Sequence, residues 1–519
     1  MKRSSYARLD RAADTLRHTY PGPGGACAVL QNGEVLVQHA WGYANAERRI
    51  AFTPATLFRI CSITKQFTCG ALLAAFPDPT VLDADIAALL PHLQQPPPGI
   101  LQLCHNQSGL RDYWAVAMLH GAPAESAFGD NEAAQVIAGT QTLHFAPGTR
   151  FSYTNQNFRI VSDILQHRTG ISFATLLRQH LFDPAGMDDA ILAADTRSLP
   201  DGTEGYEGNQ DTGFRAAENR ILWTGDAGIA ATLNDMIAWE RHIDATRDDP
   251  DALYNRLSAP VHFANGAPAP YGFGLGRRGE FGRALTGHGG ALRGWRSHRL
   301  YVKSERISVV VMFNHLSDAS AAAISLLEAA LGEQRHAPPE CNLPGWLGAY
   351  IEPETRLAVR IDTAPDHQLR LRYGHNAERL APQPDGSAGT DSTRLVPSDA
   401  GLWMHRPAEN QSSLLQPCAG TPSLDVTGSY RCDELGTELT IQDAGGALYG
   451  AFSGFLGQGR MELLAAIGAD VWALPCPRAL DHTPPGDWTL AFARGDQGRV
   501  ESVTVGCWLA RGLTYLRRI

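Results

Sequence analysis

The chain has 519 residues, which at about 150 residues per domain predicts three or four domains rather than one core. Hydrophobic residues at 44% and charged residues at 19% exclude wholesale disorder. Forty-four Lys and Arg against 54 Asp and Glu leave a net charge of −10, which excludes a general nucleic-acid binder.

The first twenty residues are polar and helical in pattern, with an opening helix expected over Leu9–His18. They lack the apolar run of a signal peptide, and no stretch reaches the ~20 apolar residues of a membrane span. Two β-rich runs follow, Cys27–Leu30 and Val35–Trp41, joined around Asn32-Gly33, a hairpin signal. Helical patterns are expected from Ser62 to about Ala245. Strands return at Ser297–Val302 and Ile307–Phe313, and a last helix covers Ala319 to Leu331. Strands at both ends with helices between predict one antiparallel sheet built from both termini, in an α+β layering.

Residues 332–340 read as a linker. From about 345 the pattern is short alternating strands with Gly, Pro, Asp and Asn turns, which predicts sandwiches or barrels. A second break lies at Pro417–Pro422. The two β segments begin alike: Gly348-Ala-Tyr350 with Glu354, and Gly428-Ser-Tyr430 with Glu434, offset by 80 residues. Two copies of one β module are expected. The domains are therefore 1–332, 345–417 and 425–519.

Three short motifs carry the chemistry. Ser62-Ile-Thr-Lys65 precedes an apolar helical run, so Ser62 and Lys65 lie one turn apart and can hydrogen-bond. A lysine packed in a low-dielectric cleft is disfavoured as a cation and can act as a base. Tyr153-Thr-Asn155 follows the Pro147-Gly148 turn, which is expected to deliver a short strand and place Tyr153 before a helix over Phe158–Arg168. A lysine beside a phenol favours its anion. His288-Gly289-Gly290 offers a close backbone approach and a donor or a group titrating near neutral pH. Each motif alone has a plainer reading: a helix cap with a solvated lysine, a core tyrosine, a glycine turn.

Together and in this order, SxxK, YxN and HxG resemble the penicillin-recognising serine hydrolases: DD-peptidases, class C β-lactamases, esterases and D-aminopeptidases. The stretches ICSITKQFTC, NQSGLRDYWA, GDAGIAATLNDMIAWE, PYGFGL, LTGHGGALRGWR, GAFSGFLG and VGCWLARG are similar to the D-aminopeptidases of that group. The resemblance implies a β-lactamase/DD-peptidase-like α+β catalytic domain followed by two antiparallel β-barrels, a homodimer, and release of N-terminal D-residues, D-alanine above all, from peptides, amides and esters. It implies Ser62 as nucleophile, Lys65 and Tyr153 as proton-transfer pair, Asn155 lining the cleft, and His288 with Gly290 as the third motif. The oxyanion donors would be the backbone N–H of Ser62 and one near Gly290 or Ala291. In that family a loop of the last domain bears an Asp that meets the substrate amine; the matching stretch is Pro477–Asp487, and its acid is Asp481. No cofactor or metal is implied, and β-lactams are possible inhibitors. A β-lactamase or esterase on the same constellation, and a non-catalytic peptidoglycan-fragment sensor, stay open at this point.

Gly274–Gly279 fits GxGxxG but lacks a following helix, so nucleotide binding is not expected. The nine cysteines include no CxxC pair and predict packed free thiols of a reducing compartment, hence a cytoplasmic protein.

Overall fold

The computed structural model describes residues 3–333, 344–374, 376–390, 392–481 and 485–518. Most of the expected linker, from 334 onward, and Cys341 lie outside the described residues.

The N-terminal helix spans Arg3–Thr19. The first hairpin joins Gly24–Gln31 to Glu34–Asn45. Its two-residue turn places Asn32 at φ 55° and Gly33 at φ 76°, the left-handed pair that such hairpins need. The sheet runs Tyr271–Gly272, Leu275–Glu280, Arg283–Leu292, Trp295–Val302, Ile307–Phe313, Gly24–Gln31, Glu34–Asn45, Ile50–Ala51, with antiparallel pairing from strand to strand. Both chain ends of the domain therefore meet at Gly24–Gln31, as the sequence predicts.

That strand is buried along nearly its whole length because helices cover both faces. Cys27 and Val29 pack with Leu9, Leu16, Ala323 and Leu327 of the N-terminal helix and of the helix Ala319–Leu331. Ala26, Ala28 and Leu30 point the other way, into the core that holds Ile237 and Ile243 of the helix Leu233–Thr246. The period of two decides which layer each residue joins.

The helical run expected to about Ala245 is interrupted. Residues 186–232 carry short strands at Ile191–Leu192, Tyr206–Asn209, Gly213–Ala216 and Ile229–Ala231. Glycines at 186, 202, 208 and 213 adopt positive φ there and break the helix period. The buried Arg59 guanidinium organises part of this stretch by donating to the carbonyls of Ala193, Asp195 and Ser198.

The C-terminal third forms two antiparallel sheets. In the nine-stranded sheet, Gly348–Ile351 pairs with both the next strand and the last, Gln416–Pro417. In the ten-stranded sheet, Gly428–Cys432 likewise pairs with the next strand and with the last, Ala510–Arg517. The 80-residue correspondence reaches atomic detail. Tyr350 OH donates to Trp346 O at 2.7 Å, and Tyr430 OH to Val426 O at 2.7 Å. Glu354 pairs with Arg150 and Glu434 with Arg111, both arginines of the N-terminal part.

The two C-terminal sheets share one hydrophobic cluster, which also takes in Ala115 and Leu119 of the helix Tyr113–Leu119. Conversely Leu480, between the strands Val471–Leu474 and Trp488–Arg494, is buried in the core of the N-terminal part. Among the described residues no helix is long and apolar enough to cross a membrane.

Candidate active site

Ser62 sits in a single 3-10 turn, Cys61–Ile63, that runs into the helix Thr64–Ala75. Cys61 holds φ 51°, a costly conformation for a side-chain-bearing residue, so the chain turns sharply into the serine. From Phe58 to Leu73 every residue except Ser62 is buried. Lys65 follows one turn later, fully buried, and its ammonium donates to Ser62 Oγ at 3.0 Å, Asn155 Oδ1 at 2.9 Å and Asp226 O at 2.7 Å. Burial is the main force on it and lowers its pKa from 10.5 to about 8; Asp226, Asp112 and Asp481 oppose that fall.

Tyr153 comes next. The expected strand before it does not form; the segment is held extended by Asn106, whose carbonyl accepts from Ser152 N at 3.0 Å and whose side chain accepts from Thr154 N at 3.2 Å. Lys65 Nζ lies 5.0 Å from the Tyr153 ring centroid, and Ser62 is near enough to the phenol to favour its ionised form. The phenol is nevertheless held well above its ordinary range, because burial outweighs the pull of Ser62. Burial thus works against the easier ionisation that a neighbouring lysine suggests for the phenol, and it is the lysine whose charged form burial disfavours.

Asn155 precedes the helix Gln156–Thr169. Asp112 fixes it twice, accepting from its backbone N at 2.6 Å and its Nδ2 at 2.9 Å. With Nδ2 committed to Asp112, Oδ1 must face Lys65. Asp112 also caps the helix Tyr113–Leu119 through Trp114 N at 3.0 Å, and burial pushes its carboxyl up to about 6. Asp226 braces the other side, accepting from Tyr113 OH at 2.6 Å.

His288 lies in the strand Arg283–Leu292. Its Nδ1 is 2.5 Å from Gly289 O, which can only accept, so Nδ1 carries the proton and Nε2 accepts from Tyr271 OH at 3.0 Å. Burial, then Lys65, lowers its pKa to about 3. It is a neutral ring wedged between Tyr271 and Tyr153, and the expectation that it titrates near neutral pH is not met. Two residues on, Gly290 lets the strand touch the serine turn: a Cβ there would lie 2.2 Å from Ile60 O.

These parts open on one cavity of about 540 Å³, lined by Ser62, Tyr153, Asn155, Gly289, Gly290 and Ala291, with Asp481 on its wall; His288 faces a smaller neighbouring hollow. Asp481 is only 6% exposed. Its segment is clamped by Arg293 Nη2, which donates to Ala479 O at 2.6 Å, and by Arg478 on Glu125 at 2.8 Å and Glu207 at 3.1 Å. Residues 482–484 of the expected loop lie outside the described residues.

The sequence reading missed several residues of this wall. Trp508 and Leu509, in the turn between the last two strands, line the cavity, as does Asn376 of the nine-stranded sheet region. An apolar Trp-Leu pair where a turn calls for polar residues was the available signal. Asp112 and Asp226 were also missed, although Asp112 precedes an apolar run and so carries a helix-start signature. The GxGxxG stretch folds into the strand Leu275–Glu280, with no helix after it. Among the described residues no group of His, Cys, Asp and Glu is arranged to hold a metal ion.

The Beta-lactamase family model matches residues 9–332, and the model described as D-aminopeptidase, domain B, matches 341–516. The chain is 59% identical over 526 aligned positions to a D-aminopeptidase of Gluconobacter oxydans, covering all of both chains. The chain belongs to the D-aminopeptidase family. A D-aminopeptidase of Brucella melitensis is 46% identical over 510 positions, covering 98% of each chain. Members of this family are enzymes, and the chain is a hydrolase of β-lactamase fold. Solved structures agree on the fold. The octameric penicillin-binding protein homologue from Pyrococcus abyssi matches with a TM-score of 0.52 at 18% identity, over 88% of this chain and 99% of that one. The D-amino acid amidase from Ochrobactrum anthropi SV3, solved with D-phenylalanine, matches with a TM-score of 0.50 at 19% identity, over 63% of this chain and 99% of that one.

Proposed function

We propose that this chain is an aminopeptidase that releases N-terminal D-residues, D-alanine above all, from small peptides, amides and esters. The observation that carries the reading is the placement of a buried carboxylate, Asp481, on the wall of the cavity that Ser62 and Tyr153 line. A buried acid facing a nucleophile is suited to a substrate ammonium, and a penicillinase or plain esterase has no use for one.

In this mechanism Ser62 Oγ attacks the carbonyl of the first residue. Neutral Lys65 takes the serine proton, and Tyr153, beside Ser62, relays it to the leaving amine. The backbone N–H of Ser62 and one from Gly290 or Ala291 hold the oxyanion. Asn155 keeps Lys65 aimed at the serine. Water then enters, is deprotonated by the same pair, and frees the D-residue from Ser62.

We further infer three working units, 1–332, 345–417 and 425–519, acting as a homodimer in the cytoplasm, with β-lactams as slow acylating inhibitors. The free state of the eight described cysteines supports a reducing compartment. One assay set tests the activity: D-alanine p-nitroanilide, its L-enantiomer, an N-acetyl-D-alanine ester and a chromogenic cephalosporin. Preference for the free-amine D-substrate is expected; rapid cephalosporin turnover with no preference for the D-amine would replace the reading with a β-lactamase.

A further inference from the structure

Among the described residues, Arg296 is the one Lys or Arg side chain on the wall of the Ser62 cavity. It lies in the strand Trp295–Val302, in register with Ala291 beside the serine turn. Its Nη1 donates to the carbonyls of Leu292 at 2.9 Å and Trp295 at 2.7 Å. Among the described residues no carboxylate forms an ion pair with it. Two other buried arginines are neutralised directly, Arg299 by Glu240 at 2.7 Å and Arg111 by Glu434 at 3.0 Å, whereas Arg59 is held by carbonyls alone. Asp318, on the same wall, spends an oxygen on the cap of the helix Ala319–Leu331, accepting from Ala321 N at 2.9 Å. A guanidinium taken largely out of water without a bonded anion is costly, and its planar fork fits a carboxylate in two-point contact.

The cavity wall thus carries both a buried acid, Asp481, and a guanidinium with no ion pair among the described residues, with Asp481 and Asp318 near enough to act on its charge. A short peptide with both ends free is the complementary ligand: its ammonium and its carboxylate stand roughly 7 Å apart for two extended residues. We propose that Arg296 takes the terminal carboxylate of the departing portion, so that the substrates are short D-aminoacyl peptides with a free C-terminus. This rests on the aminopeptidase reading above.

The test uses the full-length wild type, Arg296→Gln and Arg296→Lys with D-alanylglycine and D-alanylglycine amide. The wild type is expected to favour the free acid by about tenfold or more, carried by KM, which corresponds to one well-placed charge-assisted contact. In Arg296→Gln that ratio should fall to about one, while Arg296→Lys keeps part of it. Equal kcat/KM for acid and amide in the wild type, or an unchanged ratio in Arg296→Gln, overturns the proposal. D-alanine p-nitroanilide separates the two readings. Its turnover without an acid preference removes only the role of Arg296, whereas no turnover by the wild type removes the aminopeptidase reading itself. If Arg296→Gln does not fold, the wild-type pair and Arg296→Lys still decide.

Discussion

The backbone amide of Asp112 donates to the carbonyl of Leu509 across 3.0 Å. This bond joins the carboxylate that aims Asn155 to the turn between the last two strands. The chain of contacts then runs from Asp112 to Asn155, Lys65 and Ser62. In Asp112→Asn the new amide offers one acceptor and competes with Asn155 Nδ2 as a donor. Asn155 is then free to turn its own NH₂ toward Lys65, which removes an acceptor from the lysine. A fall in kcat of about a hundredfold is expected, the scale of a misplaced catalytic group, with KM little changed. Steady-state kinetics on D-alanine p-nitroanilide measure it, and a loss confined to KM would contradict the positioning role.

The pH profile should follow Lys65. Its pKa is lowered to about 8 by burial, so the neutral base accumulates as pH rises and kcat/KM should climb through about 8. A further loss is expected below about 6, where buried Asp112 takes up a proton and stops accepting from Asn155. Stability carries the matching sign. Between about 8 and the ordinary 10.5 the unfolded lysine holds a proton that the folded one has lost, so Lys65 makes stability rise with pH across that window. In Lys65→Met both the kinetic limb near 8 and this part of the stability slope should vanish; a limb that persists would assign it to another group.

Much of this was legible in the sequence because spacing and period are local. The Asn32-Gly33 hairpin, the helix Ala319–Leu331 and the SxxK turn were readable from their own residues. Burial was not. The sequence places Tyr153 beside Lys65 and suggests an easily ionised phenol; in the fold desolvation raises the phenol and lowers the lysine instead. His288 is quenched in the same way. Asp481, legible only through the resemblance, falls on the cavity wall, but Trp508 and Leu509 join it through long-range packing that no local pattern announces.

Glu434 holds the ten-stranded sheet against the catalytic part. It accepts from Arg111 Nη1 at 3.0 Å, Thr142 N at 3.1 Å and Thr142 Oγ1 at 2.9 Å. Glu434→Ala leaves the buried Arg111 guanidinium without its acid, a loss of about 2–4 kcal/mol. Urea unfolding should show that drop, and a change below about 0.5 kcal/mol, the range of an ordinary surface substitution, would mean that the contact does not hold the units together.

Asp481→Ala should raise KM or lower kcat/KM for D-alanine p-nitroanilide by about tenfold to a hundredfold, the scale of a lost charge-assisted contact. The N-acetyl-D-alanine ester has no ammonium and should lose far less. Equal losses on both substrates would assign Asp481 to the shape of the cavity rather than to the amine.

The most direct measurement is hydrolysis of D-alanine p-nitroanilide by Ser62→Ala beside the wild type, with thermal unfolding of both. Ser62 is half-buried at a turn and contributes little packing, so the midpoint should stay within a few degrees while turnover disappears. Retained turnover by a folded Ser62→Ala protein would contradict acyl transfer through Ser62.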